Sequence, residues 1–270
     1  MIDKKIGIIG CGNMGEALFS RLADVVEKST ELMVSEFDAG RRDYIKSKYH
    51  IIVEIDNNKV VKFADVVILA VKPKDFDQLL RQEVCCGASG KKLFISIAAG
   101  ITTKYIEKVV GSDVPVIRAM PNMGALAGKA VTSLSAGQAA LADSMRIARA
   151  IFSLMGEVVE VDEKYVDAVT AVSGSGPAYF YYLMQALLEA ARDAGFDNET
   201  AGKLVMGTAA GSIAVMDKLK EDPVKLIERI ASKGGTTEAA LKVFESKKLK
   251  RIVGQAVKAA EKRSKELSKE

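Results

Sequence analysis

One histidine, His50, and three cysteines leave this 270-residue chain little material for metal chemistry. No Cys/His cluster has zinc-ligand spacing, so no metal is expected. Cys85 and Cys86 are adjacent, a poor arrangement for a bridge, and Cys11 sits alone among glycines. The absence of a disulfide framework fits a reducing, cytoplasmic compartment. No apolar run reaches the roughly twenty residues of a membrane span. A strand pattern starts so close to the first residue that no signal peptide is expected. The formal net charge is only +4, and Lys and Arg are mixed with Glu and Asp except near the C-terminus, which argues against a nucleic-acid surface. Hydrophobic content is 49% and charged content 27%, ordinary for a globular protein. The length accommodates two domains.

What is present begins at Ile6-Gly7-Ile8-Ile9-Gly10-Cys11-Gly12-Asn13-Met14-Gly15. An apolar, β-branched run leads straight into G-x-G-x-x-G. Gly10 permits a sharp turn off the strand, Gly12 has no side chain to block a pyrophosphate, and Gly15 lets the next helix pack close. That helix is expected to begin at Asn13 or Met14, aiming its free N–H groups at the anion. Ala17, Leu18, Leu22 and Val25-Val26 then recur at helical spacing. Leu32-Met33-Val34 reads as a second strand ending at Ser35-Glu36, where a Rossmann unit contacts the adenosine ribose. The alternative is a tight strand–helix turn with no ligand.

Short Val- and Ile-rich runs follow at Ile51–Val53, Val66–Val71, Leu93–Ile97 and Val116–Ala119, most of them separated by helical patterns. This predicts a doubly wound parallel sheet with helices on both faces. Val131–Leu134 and Val158–Val161 add two further candidate strands, with a helix over Leu141–Leu154 between them. After Asp162 the strand signals stop. Helical patterns cover Val166–Arg192 (interrupted at Ser173-Gly174-Ser175-Gly176-Pro177), Glu199–Leu219, Pro223–Ser232, Thr237–Glu245 and Lys248 to the end. The expected fold class is α/β: a Rossmann domain over 1–162, then an all-helical substrate and dimerisation domain over 163–270. The Val166–Arg192 helix is apolar around much of its surface and must be covered on nearly all sides. This predicts an isologous helical interface with a second subunit, against the alternative of a central helix in a monomeric bundle.

Five segments besides the glycine loop bear on chemistry. Ala70-Val71-Lys72-Pro73 ends a strand where a doubly wound sheet meets its cofactor, so Lys72 either faces the cofactor or is a solvated lysine. Ser96-Ile97-Ala98-Ala99-Gly100 offers small residues against which a flat nicotinamide can lie, or simply packs closely. Arg118-Ala119-Met120-Pro121-Asn122 brings an amide donor and acceptor into the cleft at Asn122. Ser173–Tyr179 breaks a buried helix, for use or for a close helix crossing. Lys233-Gly234-Gly235-Thr236-Thr237-Glu238 opens a helix and can seat a carboxylate, or is a glycine turn with a Thr cap. His50 falls between a charged helix and a strand and reads as a surface residue. Between Lys164 and Arg192 there is no Lys or His to take an alcohol proton. That favours a reduction of an already activated substrate, such as a cyclic imine.

Taken together, G-C-G-N-M-G, A-V-K-P, S-I-A-A-G, R-A-M-P-N, S-G-S-G-P-A-Y and G-G-T-T resemble pyrroline-5-carboxylate reductases, in order, from Ile6 to about Ser268. The resemblance implies an NAD(P)H-binding N-terminal domain that uses Gly10, Cys11, Gly12, Asn13, Met14, Gly15, Ser35, Glu36, Asn57, Ala70, Val71, Lys72, Pro73, Ala98 and Ala99. It implies a substrate carboxylate on Gly234, Gly235, Thr236 and Thr237, with Asn122 nearby and Thr237 able to hydrogen-bond the ring nitrogen. It also implies an interlocked homodimer, with dimers assembling further in some members, and reduction of L-1-pyrroline-5-carboxylate to L-proline. Three segments depart from the family pattern: Lys233 replaces a usual Pro, Met123-Gly124 a Thr-Pro or similar, and Glu36 a small polar residue. Glu36 can bond the ribose hydroxyls and repel a 2′-phosphate, whereas Arg41 and Arg42 are close enough in sequence to pair with one. The balance leans slightly to NADH. The rival readings are a β-hydroxyacid dehydrogenase or other imine reductase, and a non-catalytic nucleotide-binding regulator.

Overall fold

The structure, a computed structural model, describes residues 3–25, 31–84, 87–89 and 91–268; Val26, Cys85 and Cys86 lie outside them. Eight strands form one sheet: β1 (Ile6–Ile9), β2 (Leu32–Ser35), β3 (Ile52–Glu54), β4 (Val66–Leu69), β5 (Leu93–Ser96), β6 (Val116–Met120), β7 (Ala130–Ala136) and β8 (Gly156–Glu160). Their order is β3-β2-β1-β4-β5-β6-β7-β8. The strand order reverses between β1 and β4, which is where doubly wound sheets take their ligands.

Helices α1 (Asn13–Ala23), α2 (Ala39–Tyr49), α3 (Asn57–Phe63), α4 (Phe76–Leu79), α5 (Thr103–Val110) and α6 (Ala142–Ser153) connect the strands. Successive strand residues serve opposite cores. Ile68 joins Ile8, Leu18, Phe19 and Phe152 on one face. Val67 and Leu69 join Val60, Phe76 and Phe94 on the other. Both faces are buried, so the strands read as continuous apolar runs. β7 departs from the all-parallel pattern: it pairs antiparallel with β6, Arg118 opposite Ser135. The connection between them holds a single 3-10 turn, Met123–Ala127, too short for a helical crossover.

The helical half contains α7 (Val166–Val169), α8 (Gly176–Asp193), α9 (Asn198–Leu219), α10 (Pro223–Ile230), α11 (Thr236–Ser246) and α12 (Leu249–Leu267). Between α7 and α8 the chain makes a π turn over Thr170–Gly174, closed by Ser175 N–H to the Thr170 carbonyl at 2.8 Å. Pro177 lies in the first turn of α8, where its missing N–H leaves no gap, and so it opens that helix.

The chain divides into two compact units. One comprises residues up to Ser175 together with those from Ala260 on, and the other is Gly176–Ala259. The end of α12 thus belongs with the sheet. Ser264 Oγ donates to Asp167 at 2.6 Å. A Cβ on Gly100 would stand 2.7 Å from the Leu267 carbonyl oxygen. In the helical unit almost nothing is buried: Phe180, Leu183 and Leu187 of α8 are 60%, 46% and 43% exposed. None of the described helices is long and apolar enough to cross a membrane.

Candidate dinucleotide site

Because β1 to β6 run parallel, the segments that follow them share one edge of the sheet. That edge carries the glycine loop after β1, Ser35-Glu36 after β2, Asn57 at the start of α3, Ala70–Pro73 after β4, Ala98-Ala99 after β5 and Asn122 after β6.

The glycine loop is shaped by three separate constraints. Gly10 has φ +96° and abuts Ala70: a Cβ would lie 2.9 Å from the Ala70 carbonyl oxygen. A Cβ on Gly15 would lie 2.2 Å from the Gly10 carbonyl oxygen, so α1 packs directly on the turn. Gly12 meets nothing within 4 Å. It caps α1, no side chain caps the helix there, and the first helical N–H groups have no intrahelical partner. The protein has no internal need for glycine at position 12, and the open space above it at a helix N-terminus fits a pyrophosphate. Asn13 is exposed and Met14 half-buried beside it.

Around this cradle the expected cofactor residues take different positions. Cys11 and Ser35 are fully buried. The Ser35 carbonyl accepts the Gly10 N–H at 2.9 Å and the Cys11 thiol at 3.6 Å, so both residues support the loop from beneath. Burial, with Glu36 nearby, pushes the Cys11 thiol up to about 12. Cys11 therefore resists iodoacetamide in the native protein at pH 8 and reacts after denaturation; peptide mapping by mass spectrometry checks this, and rapid native labelling would contradict it. Glu36 reaches the loop itself: its carboxylate accepts the Cys11 N–H at 2.9 Å and the Asp38 N–H at 3.0 Å. Asn57 donates to Glu83 at 2.8 Å. Ala70 and Val71 are half-buried, Lys72, Pro73 and Ala99 exposed, and Ala98 buried. His50 is exposed and ends α2 in the left-handed conformation.

Asn122 is a clasp. Its amide nitrogen donates to the carbonyl and the hydroxyl of Ser173, each at 3.2 Å, and its amide oxygen accepts from Gly124 and Val131. It thereby ties the R-A-M-P-N turn to the π turn of S-G-S-G-P. Arg118 is 2% exposed and lies 3.5 Å from Glu163. Glu163 also accepts the Thr103 N–H at 2.7 Å, so one carboxylate links β6, α5 and the approach to α7. Sequence reasoning missed this link, since the three residues lie far apart in the chain.

In the helical unit, α11 begins at Thr236 with Gly235 as its cap and no side-chain cap bond. Gly234 has φ +77°. Its N–H donates to the Glu238 carboxylate at 2.7 Å, so this turn already accommodates an anion. Thr236 is exposed and Thr237 half-buried.

Residues 163–267 match the family model for pyrroline-5-carboxylate reductase dimerisation, and residues 5–100 that for coenzyme F420-dependent NADP oxidoreductase. The pyrroline-5-carboxylate reductase of Synechocystis sp. is 38% identical over 266 residues, 98% of this chain and 98% of that protein. The chain belongs to the pyrroline-5-carboxylate reductase family. Two solved members share its whole fold. The enzyme from Coxiella burnetii has 34% identity and a TM-score of 0.88 over 99% of both chains. That from Plasmodium falciparum, solved with NADP bound, has 28% identity and a TM-score of 0.89 over 100% of both chains. The family is one of oxidoreductases, and this chain carries an open glycine loop at the β1/β4 switch of its sheet.

Proposed function

We propose that the chain reduces L-1-pyrroline-5-carboxylate to L-proline with NAD(P)H, the last step of proline biosynthesis. The observation that carries this reading is full-length similarity to pyrroline-5-carboxylate reductases in a chain whose glycine loop is open above Gly12. Bound at that loop, the reduced nicotinamide supplies hydride to the imine carbon. The chain itself positions the partners. The loop and the α1 N-terminus hold the pyrophosphate. Ala98-Ala99 leave a flat surface for the ring. Gly234, Gly235, Thr236 and Thr237 seat the substrate carboxylate at the positive end of α11. Thr237 orients the ring nitrogen; hydride addition to the protonated imine gives the neutral amine, which takes its proton from water. A protonated imine is already electrophilic, so no buried cation is required. This agrees with the absence of Lys and His between Lys164 and Arg192. A β-hydroxyacid dehydrogenase would need a base there.

The functional assignment divides the chain at 162/163 into cofactor and substrate domains. The protein acts as a homodimer, able to assemble further as dimers of dimers, in the cytoplasm, where Cys11 stays reduced. The decisive assay is proline formation from pyrroline-5-carboxylate with each dinucleotide. Thr237→Val lowers kcat about 10- to 100-fold, the loss of one hydrogen bond to a charged group at about 1.5–3 kcal/mol. Full kcat in that variant would remove Thr237 from the mechanism. Absence of proline with either dinucleotide would refute the assignment.

A further inference from the structure

Two cations follow β2 closely enough to meet a 2′-phosphate, and both are already engaged. Arg42 Nη1 donates to the carbonyls of Glu36, at 3.0 Å, and Phe37. Arg41 is held more firmly. Its Nε donates to the Cys11 carbonyl at 2.9 Å, and its Nη2 pairs with the Glu16 carboxylate in the first turn of α1. The Cys11 peptide is thus gripped on both sides: Glu36 holds its N–H and Arg41 its C=O.

Glu16 is no casual surface partner. Its carboxylate also accepts from Tyr49 Oη at 2.7 Å, Lys48 Nζ at 3.0 Å and Tyr44 Oη at 3.2 Å. Tyr49 is in turn fixed edge-on against buried Phe19, with ring centroids 4.8 Å apart. Partial burial would raise the Glu16 carboxyl, but hydrogen bonds from Tyr49, Lys48 and Arg41 outweigh it and hold the group down at about 2. Glu16 is therefore an anion throughout the working pH range. A 2′-phosphate that recruited Arg41 would have to displace one anion from it, free the Cys11 carbonyl, and sit beside the Glu36 carboxylate. A ribose with a free 2′-hydroxyl carries no charge that calls on Arg41.

We propose that Glu16 is a specificity-determining residue: by holding Arg41 against the glycine loop, it withholds that cation from a 2′-phosphate and favours NADH over NADPH. This deepens the proposed function and rests on its assignment of the glycine loop to NAD(P)H. Glu36 repels the phosphate directly, whereas Glu16 acts through Arg41.

The test is isothermal titration of NAD+ and NADP+ into the full-length protein, with no turnover involved. In Glu16→Gln, Arg41 keeps its charge and loses its counter-ion, so the NADP+ Kd falls about tenfold while the NAD+ Kd stays within threefold. Adding Arg41→Gln to Glu16→Gln restores the original ratio. A purely structural role for Glu16 would weaken both ligands together and leave the ratio fixed, which would overturn the proposal. Arg41→Gln alone gives an independent reading: the NADP+/NAD+ ratio stays within threefold when Arg41 is withheld. A selective loss of NADP+ of tenfold or more would mean that Arg41 already serves the phosphate, and would also overturn it. If the wild-type protein bound neither dinucleotide, the cofactor assignment itself would fall, a different outcome from an unmoved ratio.

Discussion

Gly12→Val lowers the melting temperature of the protein by only about 2–4 °C, since Val is a poorer N-cap for α1 than Gly by about 1 kcal/mol. The same change weakens NADH binding about 100-fold or more, or roughly 3 kcal/mol. The reason is the empty space over Gly12, where an added Cβ meets no protein atom within 4 Å. Under the proposed function it meets the pyrophosphate instead. Gly15→Ala behaves in the opposite way. Its new methyl would stand 2.2 Å from the Gly10 carbonyl, so α1 must shift off the turn. Overpacking of that kind costs about 1–3 kcal/mol of stability. Calorimetry of folding and of binding on the two variants separates them. An unaltered NADH affinity in Gly12→Val would reduce the loop to a structural turn.

The second large effect concerns assembly. Phe180, Leu183 and Leu187 form one stripe of α8 at helical spacing, each more than two-fifths exposed. Across the unit, the buried apolar residues are only Ala201 and Val205. Such a unit gains its core from a second copy. Burial of one large apolar side chain contributes about 1.5–3 kcal/mol, and an isologous interface counts each residue twice. Phe180→Asp with Leu187→Asp therefore removes about 3–6 kcal/mol of apolar burial from association, and the cost of burying two carboxylates per subunit adds to it, enough to turn a nanomolar dimer into a monomer at 10 µM. Multi-angle light scattering checks the mass, and specific activity falls at least tenfold alongside. A double variant that stays dimeric and active would place the subunit contact elsewhere.

The glycine register, the strand runs and the helical second half were legible because each depends on neighbours in sequence. Ile6–Ile9 reads as a strand and Asn13 as a helix start from local pattern alone. The antiparallel turn-back of β7 was not legible, because pairing direction depends on how the connection folds. The π turn at Thr170–Gly174 was visible only as an interruption, since glycine and proline mark a disturbance without giving its geometry. In the site, Glu36 was found by its distance from the glycines, but its bond to the Cys11 N–H was not. Arg41 reads from the sequence as a cation able to pair with a 2′-phosphate, not as the partner of a carboxylate. Its partner Glu16 lies 25 residues away on another helix, and no local pattern joins them. The Arg118–Glu163–Thr103 link was hidden for the same reason.

The return of the chain's last turn to the sheet, with Ser264 on Asp167 and Leu267 against Gly100, has a consequence for biogenesis. N-terminal domains generally fold first during synthesis. Here the N-terminal sheet can close early, but the unit to which it belongs is completed by residues from Ala260 on, which are made only after Gly176–Ala259. The helical segment Gly176–Ala259 emerges in between, with its apolar α8 stripe uncovered. A nascent chain stalled before Ala260 would present that stripe while the unit that holds the sheet still lacked its closing turn.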